Sequence, residues 1–147
     1  MSYVHHRTVR FQDTDAAGVA YFASILAMCH EAYEASLAAA GVDLKAFFRG
    51  STVGVPILHA EIDFMQPMFC GETYAIEMKP AALSPDKFEI NYEITAIEAA
   101  EDQPAGKPAG NKVSRAKTLH LCIDVKTRSR VPMPPFLEQW LELHEQE

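Results

Sequence analysis

Cysteine and positive charge are both scarce in this chain, and each scarcity excludes a class of protein. Only three of the 147 residues are cysteine, and the spacing of Cys29, Cys70 and Cys122 fits neither a disulfide framework nor a metal site. Each lies in an apolar segment, so we expect three buried free thiols. The 13 lysines and arginines are outnumbered by 20 acidic residues, which argues against a general nucleic-acid binder.

Long apolar runs are missing as well. No run approaches the length that spans a bilayer, and the stretch Met1–Arg7 has no apolar signal core. We therefore expect a cytoplasmic protein with no membrane partner. His5 and His6 are adjacent and would point to opposite faces of a strand, and no other cluster has a ligand spacing, so we predict neither a metal nor a cofactor.

One long helix is the clearest element in the pattern. A strand over Tyr3–Phe11 and a polar turn over Asp13–Gly18 precede it. From Phe22 to Ala40, apolar residues recur at three- and four-residue steps, and Gly41 follows as a stop signal. A helix this apolar and this rich in alanine should be buried on most of its sides.

Strand patterns dominate the rest of the chain. Alternation bounded by proline, glycine and aspartate predicts four more strands, at Val55–Met68, Thr73–Ala82, Lys87–Glu98 and Val113–Val125. The remaining segments predict two short helices and a flexible hairpin loop, at Leu44–Phe48, Phe136–His144 and Ala99–Lys112 respectively.

The order of these elements predicts an architecture. A sheet can cover a helix of about five turns on several sides only by curling around it. The sequence therefore predicts a single α+β domain over residues 1–147, with an antiparallel sheet wrapped around one central helix. The outer face and the edge of such a sheet need cover, which predicts a dimer or a higher oligomer.

The turn before the helix is the candidate site. A helix N-terminus presents free backbone N–H groups and a positive dipole end, which can stabilise an oxyanion. Asp15 in the turn could act beside it, as a general base or as a nucleophile. The alternative for Asp15 is to cap the helix or to stabilise the turn, and for Asp13 this structural role is the favoured interpretation.

The stretch Asp13–Phe22, together with the helix after it, resembles the hotdog-fold acyl-CoA thioesterases of the 4-hydroxybenzoyl-CoA thioesterase family. The resemblance in element order covers nearly the whole chain and implies a five-stranded sheet around the helix. It also implies that Asp15 is the catalytic carboxylate and that the backbone N–H of Phe22 activates the thioester carbonyl. The expected partner is an acyl-CoA substrate.

Two further stretches, Met28–Glu34 and Pro56–Phe64, look like the cyanobacterial and plant-type branch of that family. Its members hydrolyse 1,4-dihydroxy-2-naphthoyl-CoA in phylloquinone (vitamin K1) synthesis. The 4-hydroxybenzoyl branch carries a carboxylate where this chain has His30, and the short-chain branch has a histidine at Phe22 and a glutamate at His30. Another aromatic or short-chain acyl-CoA, and a non-catalytic acyl-CoA-binding module, remain the alternatives.

Several side chains are candidate substrate contacts. His30 could pair with a naphthol hydroxyl or with a neighbour such as Glu34. Glu31 could line the site or form an ion pair, and Tyr21 could contact substrate or pack. His59 could reach the acyl group across a subunit boundary, where the pocket of this fold commonly lies. Candidates for the phosphates of coenzyme A, with solvated surface charge as the alternative, are Arg115, Lys117, Lys126, Arg128 and Arg130.

Overall fold

The computed structural model describes residues 2–49, 51–97 and 108–145. The strands are β1 (Tyr3–Thr8), β2 (Val53–Gly54), β3 (Ile57–Phe64), β4 (Thr73–Ser84), β5 (Lys87–Ile97), β6 (Pro108–Leu121) and β7 (Ile123–Asp124). The helices are α1 (Phe22–Ala39), α2 (Leu44–Arg49) and α3 (Pro135–Glu145). Within these ranges, no helix is both long and apolar enough to cross a membrane.

A five-stranded antiparallel sheet carries the fold. Its strand order is β1-β4-β5-β6-β3, while β2 and β7 pair separately. Phe88, Ile90 and Tyr92 of β5 are buried, as their alternation with polar residues predicted. The ring of Tyr33 on α1 lies 6.3 Å from that of Phe88, so α1 packs on this face of the sheet. The predicted α+β hotdog architecture is confirmed.

Helix α1 is covered on one side only. Its buried positions include Met28, Cys29 and Tyr33, and it ends before Gly41, whose φ of +88° favours glycine. Exposed positions include Ala23 and Ala27. The prediction of burial on most sides is therefore wrong within one chain, because the sheet and α3 leave the opposite face of α1 open.

The thiols do not share one environment. Cys29 and Cys122 are buried and free, as predicted, whereas Cys70 is exposed. Cys70 precedes Gly71, whose φ of +90° marks the turn into β4. In this turn its apolar neighbours in the sequence leave the side chain exposed. The expectation of a buried thiol at this position is wrong.

Some predicted boundaries also shift. The first strand stops at Thr8, because Phe11–Asp13 forms a single 3-10 turn. Residues 108–112 of the predicted loop belong to β6, where Pro108 pairs with Ile97. The rest of that predicted loop lies outside the described residues.

Candidate active site

A tight turn carries Asp15 to the front of α1. The Asp15 N–H donates to the carbonyl of Val19 over 3.0 Å, and the Gly18 N–H donates to the carbonyl of Asp15 over 3.0 Å. Gly18 has a φ of +80°, a left-handed conformation that side chains disfavour. Thr14 and Ala20 then form an isolated antiparallel bridge. The turn is thus fixed by main-chain bonds at both ends.

The Asp15 carboxylate is exposed at this turn. Its Oδ1 accepts a hydrogen bond from the Ala17 N–H at 2.8 Å. This contact belongs to the turn-stabilising alternative for Asp15, and it does not cap α1. Since one N–H occupies one oxygen, the second carboxylate oxygen can still accept a proton or attack a carbonyl carbon.

The N-terminus of α1 is open. Tyr21 occupies the cap position, and no described side chain caps the helix. The first N–H groups of a helix have no partner within it, so the N–H of Phe22 remains available to an oxyanion. Asp13 instead stabilises the preceding turn, where it accepts from the N–H of Arg10 at 2.8 Å. The structural role favoured for Asp13 is confirmed.

A groove joins these two features, and we call it the Asp15 groove. It has a volume of about 450 Å³. Half-exposed apolar side chains dominate its walls, among them Phe22, Phe64 and Met65, and Asp15 is the one carboxylate among its described lining residues. Such a cleft suits an apolar or aromatic acyl group with Asp15 beside the reacting carbon. Its lining residues are Asp15, Val19, Ala20, Tyr21, Phe22, Ile25, Phe64, Met65, Gln66, Pro67 and Met68.

Of the predicted contacts, Tyr21 lines the groove within one chain, whereas His30 and His59 do not. The Nδ1 of His30 lies 3.0 Å from Glu34 Oε1 on α1, which is the neighbour pairing considered above. His59 lies on β3, and its Nε2 is 3.5 Å from Glu61 Oε1. Both imidazoles are partly exposed.

Glu31 forms an ion pair in this structure. The Nε of Arg7 donates to Glu31 Oε1 over 2.7 Å, and Nη1 of the same guanidinium donates to Asp13 Oδ2 over 2.8 Å. The hydrogen bonds that Arg7 donates to Glu31 and Asp13 raise the pKa of its guanidinium above the ordinary value. Burial would raise the pKa of Asp13, but the donors Arg7 and Arg10 outweigh it and hold this pKa below its ordinary value.

The five basic candidates lie on β6 and in the segment after β7, outside the lining of the Asp15 groove. Arg115 pairs with Asp63 at 3.0 Å and Lys117 with Glu89 at 3.5 Å, so each already has an acidic partner on the surface. Lys126, Arg128 and Arg130 lie in the segment after β7, where Arg128 adopts a left-handed backbone conformation with a φ of +63°. None of the five lines the groove within one chain.

Sequence reasoning missed one wall of the groove. Phe64 is the last residue of β3, and Met65–Met68 follow it. The signal in the sequence was Pro67, which marks the end of a strand but does not show where in the fold that end lies. The Arg7 ion pairs were also missed, because they join residues of different elements. In the described part of the chain, no three His, Cys, Asp or Glu side chains are placed to hold a metal.

An exposed carboxylate beside an open helix N-terminus, on a hotdog scaffold, is the arrangement of an acyl-thioester hydrolase. The family model described as the thioesterase-like superfamily matches residues 9–141, and the chain belongs to that superfamily. A 1,4-dihydroxy-2-naphthoyl-CoA hydrolase of Nostoc punctiforme is 47% identical over 97% of this chain and 88% of its own length. That of Rippkaea orientalis is 47% identical over 92% of both chains.

A solved structure agrees with these sequence relatives. The crystal structure of a 1,4-dihydroxy-2-naphthoyl-CoA thioesterase from Synechocystis superposes with a TM-score of 0.86 and 31% identity, covering all of both chains. The family resemblance drawn from Asp13–Phe22 is therefore confirmed.

Proposed function

We propose that this chain hydrolyses the thioester of 1,4-dihydroxy-2-naphthoyl-CoA to 1,4-dihydroxy-2-naphthoate and coenzyme A, a step of phylloquinone synthesis. The observation that carries the proposal is the Asp15 groove, where one carboxylate and the free N–H of Phe22 share an apolar cleft. The relatives of Nostoc and Rippkaea support the choice of acyl group.

The proposed reaction uses two groups of the Asp15 groove, the N–H of Phe22 and the carboxylate of Asp15. The thioester carbonyl oxygen accepts a hydrogen bond from the N–H of Phe22, and the helix end stabilises the negative charge that develops on this oxygen. One such donor typically lowers the activation barrier by about 3 kcal/mol. Asp15 either takes a proton from the attacking water or attacks the carbonyl carbon itself.

In the first route the C–S bond breaks as Asp15 passes the proton of the attacking water to the departing sulfur, and the product acid releases its own proton to solvent. In the second route the C–S bond breaks as Asp15 forms a mixed anhydride with the acyl group. Water then cleaves the anhydride, which restores the Asp15 carboxylate and frees the product carboxylate, while one proton of the water goes to the thiolate of coenzyme A and the other to solvent.

Replacement of Asp15 by asparagine tests this role. Asp15→Asn keeps the size of the side chain and its acceptor for Ala17 but removes the base and the nucleophile. We expect kcat for thiol release to fall by about 10²- to 10⁴-fold, with an unchanged circular dichroism spectrum.

A matched control is available at Asp43. Its exposed carboxylate likewise accepts an N–H two residues on, from Lys45 at 3.1 Å, and Asp43→Asn should retain full turnover. Wild-type turnover in Asp15→Asn would remove the proposed function. Acyl-CoA binding without turnover in the unaltered protein would favour a non-catalytic binding module.

We also propose that the chain works as a dimer, or as a tetramer of two dimers. Strand β3 is an edge strand that is exposed along nearly its whole length, with Ile57, Leu58 and Phe64 about half exposed. A free strand edge with apolar side chains pairs readily with another strand, and Phe64 also lines the Asp15 groove. A second copy on β3 would thus extend the groove and could bring His59 to it.

We propose the cytoplasm as its location. The support is that Cys29, Cys70 and Cys122 are all free, the state in which a reducing compartment keeps thiols.

A further inference from the structure

The guanidinium of Arg7 joins two carboxylates that belong to different segments. Arg7 lies on β1, Glu31 on α1 and Asp13 in the 3-10 turn. Besides the two short bonds given above, its Nη2 lies 3.3 Å from Asp13 Oδ1 and 3.3 Å from Glu31 Oε2. Each carboxylate is therefore held at both oxygens, a contact that the planar guanidinium makes and that lysine cannot reproduce.

Asp13 connects Arg7 to the Asp15 groove. Its side chain binds Arg7 and the N–H of Arg10, while its carbonyl accepts the N–H of Tyr21 at 2.8 Å. Tyr21 immediately precedes Phe22 and occupies the N-cap position of α1, and Asp13 lies two residues before Asp15. One residue thus links Arg7 to both functional groups of the groove.

The position of Arg7 makes the contact a strong constraint. The side chains of Arg7 and Asp13 are only 15% and 11% exposed, so solvent screens their attraction less than that of a surface pair. Arg7 does not line the Asp15 groove. Its effect on the reaction would therefore pass through the turn and the helix, without contact to the substrate.

We propose that Arg7 is a positioning residue for thioester hydrolysis: by holding Asp13 and Glu31 it fixes the Asp15 turn against α1 and sets the Asp15 carboxylate relative to the Phe22 N–H. This inference rests on the proposed function and assigns Glu31 to the same role, as a partner of Arg7. Displacement of a reacting group by about 1 Å can cost about 100-fold in rate, so loss of the contact should be visible in kcat.

Arg7→Met and Arg7→Lys test the proposal by steady-state kinetics with 1,4-dihydroxy-2-naphthoyl-CoA. Arg7→Met keeps an unbranched stem and removes every donor, so kcat per folded site should fall about 10- to 100-fold. KM should stay within about threefold, because no substrate contact is lost. Arg7→Lys restores the charge without the two-point geometry and should recover part of kcat.

The control is Lys112→Met, which removes the exposed ion pair of Lys112 with Glu93 and should leave kcat unchanged. A purely structural role for Arg7 would lower the melting temperature while kcat per folded site stayed at the wild-type value, and that result would overturn the proposal. A rise in KM with an unchanged kcat would overturn it too.

Glu31→Gln supplies an independent arm, even where Arg7→Met fails to fold. It removes one of the two acidic partners of Arg7, so we expect a smaller loss of kcat than in Arg7→Met, at constant KM. Because both substitutions disrupt the same contact, the double variant should have a kcat less than twofold below that of Arg7→Met alone. A raised KM in Glu31→Gln alone would instead mark Glu31 as a substrate contact. If Asp15→Asn keeps wild-type turnover, the proposed function is wrong. If Asp15→Asn loses turnover while Arg7→Met and Glu31→Gln keep it, the proposed function stands and the positioning role of Arg7 is wrong.

Discussion

At the scale of single residues, His120 shows how this fold buries a titratable group in its core. The imidazole lies between the ring of Phe88, which is stacked at 4.7 Å, and that of Tyr33 at 5.0 Å. Its Nε2 lies 2.8 Å from Thr118 Oγ1. Burial, with His30 adding to the effect, lowers the pKa of His120 to about 4.

This shift predicts a loss of stability in acid. Between pH 6.5 and about 4 the unfolded chain binds a proton at His120 that the folded protein does not. The free energy of unfolding should therefore fall as the pH drops through this window, by about 3 kcal/mol in total. Urea unfolding at a series of pH values measures it.

One variant assigns the pH dependence to His120. His120→Gln should flatten the loss of stability between pH 6.5 and 4. An equally steep loss in His120→Gln would show that other groups cause it.

At the scale of elements, the turn over Asp15–Val19 depends on a glycine conformation. Apart from the glycine itself and its two chain neighbours, no heavy atom of the described residues lies within 4 Å of the position that a Cβ would take at Gly18 or at Gly41. In both places the penalty for alanine therefore comes from the positive φ. Each substitution should cost about 1 kcal/mol of stability. Gly18 supports the Asp15 groove, while Gly41 ends α1 far along the chain from it.

The pair Gly18→Ala and Gly41→Ala therefore separates strain from function. Both variants should lose similar stability in thermal unfolding, but only Gly18→Ala should also lower kcat, because its turn carries Asp15. Unchanged kcat in Gly18→Ala, at the same loss of stability, would show that the turn tolerates the strain without moving the carboxylate.

Local sequence signals predicted these elements well, but they could not predict contacts between residues that are far apart in the sequence. The pattern from Phe22 to Ala40 found α1 to within one residue of its end, because helix periodicity and the stop at Gly41 are both local. The polar turn before α1 was predicted for the same reason, since Gly18 and the aspartates that mark it are adjacent in the sequence. Alternation could not show that β3 lies at an edge, since it does not encode strand order, and so the groove wall at Phe64–Met68 was missed.

At the scale of the whole molecule, one chain leaves apolar surface uncovered. Phe11, Phe22 and Phe64 are 82%, 53% and 52% exposed, and β3 has a free edge. Isolated exposed apolar residues are ordinary, but a strand edge beside an apolar groove is a typical interface.

Sedimentation equilibrium tests this surface. We expect the mass of a dimer or tetramer at micromolar concentration, because association would cover the exposed apolar edge at β3. A monomer at every concentration, with undiminished turnover per chain, would contradict the proposed assembly and would require a groove that works within one chain.

The most direct test of the proposed function is free-thiol release by the purified protein, measured with 1,4-dihydroxy-2-naphthoyl-CoA, 4-hydroxybenzoyl-CoA, benzoyl-CoA and a short aliphatic acyl-CoA. We predict that kcat/KM is highest for the naphthoyl substrate, by about 100-fold or more over the aliphatic one, a difference of about 3 kcal/mol in transition-state binding. A flat profile, or a preference for the aliphatic substrate, would contradict the assigned acyl group, and no turnover of any of the four would contradict the assignment as a thioesterase.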